Sequence, residues 1–162
     1  MVPGERVDRF RYAAFRFTLC AMHLRIEGEV IAPCELGYED LSALPDQIPD
    51  IGQLIPGRSG TGIRLGALLR RAGLKENATH VTVVSRDGEF AASVPLAAVR
   101  EAIIAYRLGD APLPAAAGGP LRFLIPNVQE CGLDGADACA NVKDVGVLRV
   151  TRGAGADTRR RR

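Results

Sequence analysis

The sequence predicts a single α+β domain, and three observations predict it. Short segments with the period of strands alternate with short helical patterns, without the regular strand–helix–strand rhythm of a doubly wound parallel sheet. The 162 residues suffice for one core of ordinary size. With 47% hydrophobic and 25% charged residues, the composition is that of a folded globular chain.

Taken in order, residues 1–23 form a charged, aromatic-bearing lead-in. Leu24 to Val30 (LRIEGEV) alternates apolar and polar, as a half-buried strand does, and Pro33 halts it. Tyr38 to Leu44 (YEDLSAL) reads as a short helix closed by Pro45. Residues 45–62 hold three Pro and four Gly, which predicts a long irregular loop of the kind that carries function. Ile63, Leu65, Leu68 and Leu69 mark an amphipathic helix over Ile63 to Ala72, with Gly73 as its left-handed cap. His80 to Val84 is a β-branched strand, Ser85 to Gly88 (SRDG) a turn, and Glu89 to Val94 the returning strand. Pro95 suits a first helical turn, so the pattern predicts a helix over Leu96 to Tyr106. A Pro/Ala/Gly loop follows from Gly109 to Gly119, then a strand at Leu121 to Ile125. Residues 127–141 read as a loop, and Val145 to Thr151 as the last strand. The domain is thus expected over 24–151. Residues 152–162 form a basic tail without apolar periodicity, expected to be disordered and to add nothing to stability.

Several function classes are excluded or disfavoured. No run of 18 apolar residues exists to cross a membrane as a helix. Trp is absent and aromatics are 5%, which speaks against a stacking platform for single-stranded nucleic acid. The net charge of +2 comes from the end of the chain. The last twelve residues hold five Arg and one Asp, leaving 16 basic and 18 acidic residues in the first 150. Such a tail reads as a solvated terminus before a nucleic-acid or lipid contact. The apolar stretch from Ala13 to Leu24 is interrupted by Arg16 and His23 and lacks a cleavage site, so a cytoplasmic protein is expected.

Three motifs invite chemistry. Gly57 to Gly62 (GRSGTG) precedes the predicted helix and could cradle an anion on its backbone N–H groups. It has neither the Lys-Ser/Thr pair of a P-loop nor dinucleotide spacing, and a flexible turn is the better reading. His23 and His80 lie in no nucleophile context, and Glu27/Glu29 and Glu39/Asp40 read as solvated faces. Cys131 and Cys139 bracket CGLDGADAC, a spacing unlike the close pairs of zinc or redox sites. A loop-closing disulfide, a thiol pair beside a pocket and two unrelated cysteines all remain open.

The strongest signal is a series of motifs in order. It runs from LRIEGEVIAPCELGYEDLSALP through GTGIRLGALLRRAGL and HVTVVSRDGEFAASVPL. It ends with EAIIAYRLGDAPLPAAAGGPLRFLIP and NVKDVGVLRV. Over about residues 24–151 the chain resembles the molybdopterin-binding domain of the sulfite oxidase family, most specifically in AYRLGDAPLPAAAGGPLRFLIP. The resemblance implies a molybdopterin cofactor and a molybdopterin-dependent oxidoreductase. It implies that Arg122 approaches the pterin's phosphate, that Asn141 and Lys143 sit on the loop wrapping the pterin, and that Asp87 and Gly88 form a turn near the core. It also marks departures. The loop IPDIGQLIPGRSGTG (Ile48 to Gly62) lacks the cysteine through which catalytic members hold molybdenum. The family's His is replaced around Ala117, and its Trp by Asp144. Loss of the thiolate argues against ordinary sulfite oxidation, and no catalytic or metal-ligating residue is assigned. A cofactor-free scaffold or interaction domain that keeps the fold is the alternative. On the first reading Arg122 and Lys143 should converge on one cleft, with Asn127 to Ala140 as its lip.

Overall fold

The structure, a computed structural model, describes residues 22–126 and 141–159. Two sheets organise it. The first has the order β2-β1-β10-β5-β6, with β1 Leu24–Gly28, β2 Cys34–Leu36, β5 His80–Ser85, β6 Ala91–Pro95 and β10 Val145–Thr151. Only β1 and β10 pair in parallel; the other neighbours are antiparallel. The second has the order β3-β4-β7-β8, with β3 Gln47–Ile48, β4 Thr61–Arg64, β7 Ile103–Leu108 and β8 Ala111–Pro112. Strand β9 (Arg122–Leu124) also pairs with β7. Two helices complete the fold, α1 Tyr38–Ala43 and α2 Leu65–Ala72, with single 3₁₀ turns at Ile51–Gln53, Leu96–Ala98 and Ala115–Ala117. The α+β expectation holds. No described helix is long and apolar enough to cross a membrane.

One core joins the sheets. Leu24, Ile26, Val81, Val83, Leu148 and Val150 of the first pack with Ile104, Tyr106 and Phe123 of the second and with Leu65 and Leu68 of α2. Each buried side chain of this size contributes ~1.5–3 kcal/mol of transfer free energy. A second, smaller cluster holds Ile48, Ile51, Ile103, Ala105, Leu113 and Leu124. Alternate residues of β7 therefore enter different clusters, and the strand is buried on both faces.

That explains the main correction. The predicted helix over Leu96 to Tyr106 is a 3₁₀ turn followed by β7. A doubly buried strand reads as a continuous apolar run, which periodicity cannot separate from a buried helix. A second correction is local. Ile63 and Arg64 belong to β4, and the helix begins at Leu65. Gly73 does cap it, with φ +72°. GRSGTG therefore leads into a strand and supplies no helix N-terminus.

Both ends of the domain reach past the expected bounds. Met22 is fully buried. Residues 153–159, expected to hang free, lie along the outer edge of β6. Thr158 N–H donates to the Ala91 carbonyl at 2.8 Å, and Ala91 N–H to Thr158 Oγ1 at 3.1 Å. Ser93 N–H donates to Asp157 Oδ2 at 3.1 Å, and Gly155 N–H to Ser93 Oγ at 2.8 Å. Gly155 packs so closely on the Thr82 hydroxyl that no Cβ would fit. The tail thereby covers the unpaired groups of an edge strand. Cys131, Cys139 and the run Arg160 to Arg162 lie outside the described residues.

Candidate functional site

The candidate residues meet where two chain segments run side by side. Phe123 N–H donates to the Val142 carbonyl at 2.9 Å, Asp144 N–H to Gly118 O at 2.9 Å, and Val145 N–H to Leu121 O at 2.8 Å. This ladder carries Arg122 and Lys143 together although the sequence separates them. Gly118 makes the meeting close. It ends the 3₁₀ turn in the left-handed region, φ +88°. A Cβ there would lie 2.8 Å from Arg122 Cδ and 3.1 Å from Lys143 Cγ, so the stems of both cations pack on the bare glycine.

Arg122 is only 8% exposed. Its Nη1 donates to the Ala117 carbonyl at 2.9 Å, whereas Nε is buried with no hydrogen-bond partner among the described residues. Burial and, second, the nearby charge of Arg58 hold its guanidinium below the ordinary pKa. A buried donor without an acceptor is expensive, and here it belongs to a cation.

Arg122 lines a cavity of about 170 Å³ together with Gly57, Arg58, Ser59, Leu113 and Leu124 among others. β7 provides the floor: Ala105 lies between Gly62 of β4 and Arg122 of β9 in register. Of the three residues assigned from sequence, Arg122 alone lines this cavity. Lys143 is exposed and adjoins Arg122 across Gly118. Asn141 is tied to the residue that follows β9: its Oδ1 accepts the Ile125 N–H at 3.0 Å. Asp87 shapes the turn after β5, where Ser85 Oγ and Glu89 N–H donate to its Oδ1. Arg58 is the residue that sequence reasoning missed. Its turn was visible as GRSG, but the partner that gives it meaning is 64 positions away.

Residues 58–133 match the family model described as oxidoreductase molybdopterin binding domain, which bears out the family resemblance of the motif series. The match begins at Arg58, includes Arg122 and stops short of Asn141 and Lys143. Among solved structures, the chain is similar in fold to the sulfane dehydrogenase SoxCD from Paracoccus pantotrophus, with TM-score 0.61 and 22% identity. The alignment covers 82% of this chain and 39% of that one, so the chain spans well under half the length of that structure. No curated protein matches in sequence.

Proposed function

We propose that the domain binds a molybdopterin-type cofactor by its phosphate, with Arg122 as the anchoring cation. The observation that carries this is the guanidinium of Arg122, only 8% exposed yet lining a cavity that Arg58 also lines. An arginine fork suits a phosphate, and the charge-assisted bonds it makes are the strong ones. The residues fit this end of the cofactor. Lys143, whose stem lies beside Arg122 over Gly118, adds a compact positive charge at the rim. Asn141 keeps its carbonyl oxygen on Ile125, which leaves its amide N–H groups as the end a ligand can meet. Leu113 and Leu124 limit water at the buried side. Among the described residues no three His, Cys, Asp or Glu side chains cluster to hold a metal ion directly. When bound, the cofactor supplies redox chemistry at its molybdenum.

The test is cofactor content. Protein produced in a molybdopterin-synthesising host should carry pterin, read by fluorescence after oxidation, together with molybdenum. The Arg122→Met variant should fold and carry neither. Folded wild-type protein free of both would overturn the proposal in favour of the cofactor-free scaffold.

A further inference from the structure

The two edges of the first sheet are protected differently. At one edge β2 is three residues long, follows Pro33 and carries Glu35 at its centre, devices that discourage pairing with another chain. At the other edge β6 (AASVP) is five residues without a charge, and its only proline comes last. Its cover comes from elsewhere in the chain. Residues 157–159 take both backbone groups of Ala91 and of Ser93. The two N–H groups donate to Thr158 Oγ1 and Asp157 Oδ2, and the two carbonyls accept from Thr158 N–H and Arg159 Nη2. Three of these four bonds use side chains of the covering segment, which imitates a strand without forming one. The cover also has a cost. Thr82 Oγ1 is buried beneath Gly155 with no partner among the described residues, and that cost is returned when the segment lifts and water reaches the hydroxyl.

We infer that the β6 edge is a pairing surface for a second copy of this chain, held shut by residues 153–159 as a releasable strap. The strand is self-complementary. With a twofold axis at Ala92, two β6 strands run antiparallel, and Ala91 of each copy lies opposite Ser93 of the other. The outward N–H and carbonyl groups of these residues then satisfy one another. Ala92 and Val94 face the core, so their pairing needs no change inside the domain. Ala91 and Ser93 are small and uncharged, and the facing pairs bring together neither bulk nor like charges. Pro95 has no N–H to extend the ladder, which keeps the contact short and the dimer weak. A strap attached to its own edge outcompetes so weak a partner through its effective concentration. The inference is independent of any ligand in the cavity.

Sedimentation equilibrium of the full 162-residue chain tests it with two strap variants. Asp157→Ala/Thr158→Pro/Arg159→Ala removes the bonding groups. Gly155→Val keeps them and lifts the strap, since no Cβ fits over Thr82. Both variants should dimerise with Kd of about 0.1–1 mM, and wild type at least about tenfold more weakly. Amide hydrogen exchange locates the contact. Ala91 and Ser93 should be protected in wild type, exchange in the dilute variants and regain protection as the variants are concentrated. Adding Ser93→Pro to the triple variant should restore the monomer, because an edge strand accepts proline where its N–H faces outward and the ladder loses a donor. Variants that stay monomeric, wild type that dimerises as readily, or dimers that leave Ala91 and Ser93 unprotected or survive Ser93→Pro would each overturn the inference. A strap variant that loses its fold by circular dichroism would overturn it too, by showing that residues 153–159 are part of the body and cannot be released.

Discussion

Arg122 and Arg159 are both largely buried, and they are buried for opposite reasons. The Arg159 side chain, 13% exposed, is committed at every turn: it pairs with Asp157 at 2.5 Å and donates to the Ser93 carbonyl at 2.9 Å. Among the described residues, Arg122 has one carbonyl acceptor, an Nε without a partner and a second arginine nearby. The first arrangement closes a sheet edge. The second keeps a charge unspent beside a cavity. Burial alone therefore does not distinguish a structural arginine from a binding one; the fate of its donors does.

The comparison breaks first at Arg122. Arg122→Met should weaken anion binding by ~1.5–3 kcal/mol, the range for a charge-assisted hydrogen bond. Its stability should stay within about 1 kcal/mol of wild type or rise, since replacing a poorly satisfied buried charge with an apolar side chain is often neutral or favourable. Urea denaturation and phosphate titration of one preparation give both numbers. A strongly destabilised variant would show that Arg122 is structural, as Arg159 is.

Gly118→Ala comes next. The left-handed φ of +88° and the tight approach to Arg122 and Lys143 should cost about 1–3 kcal/mol in stability. Anion affinity should fall as well, because relief comes only by moving the two cations. Wild-type affinity in this variant would separate the glycine from the site.

What was legible in the sequence follows the same division. β10 was read from Val145 to Thr151, its observed span, because β-branched alternation against one core gives a clean period. The cap at Gly73 was read because the left-handed region favours glycine. β7 was missed because both its faces are buried, which erases the period. Arg122 was read only through the motif around it. Arg58 could not be read, since β4, β7 and β9 must assemble before its turn meets Arg122. The tail was misjudged because it docks through backbone groups and the side chains of Asp157, Thr158 and Arg159. None of these leaves a mark in hydrophobicity.

Deleting residues 153–162 tests the structural arginine. Free residues would leave the melting temperature unchanged. Hydrogen bonds at Ala91 and Ser93 and the half-buried Asp157–Arg159 pair predict a net loss of about 1–2 kcal/mol after the entropy of ordering the segment. That corresponds to a drop of about 2–8 °C for a domain of this size. Phosphate affinity should not change. An unchanged melting temperature would remove the ground for calling Arg159 structural.

The smallest effect is in pH, and it isolates Asp157 within that tail. Burial pushes this carboxyl's pKa up. The hydrogen bonds from the Arg159 side chain, from the backbone N–H groups of Arg159 and Ser93, and the Arg159 charge outweigh burial and hold the pKa below its ordinary 3.8. A carboxyl whose folded pKa is depressed stabilises fully above the unfolded value. It loses that contribution as pH falls through the unfolded value toward the folded one, because the unfolded chain takes up the proton first. The stability difference between the full chain and the chain lacking residues 153–162 should therefore be flat above about pH 5 and shrink below about pH 4. Urea denaturation of both proteins at pH 6, 4.5 and 3 would measure it. Asp157→Asn should remove most of the pH dependence of the difference. A difference that stays constant down to pH 3 would mean that the tail is held by its backbone bonds alone, with the Asp157–Arg159 pair adding nothing.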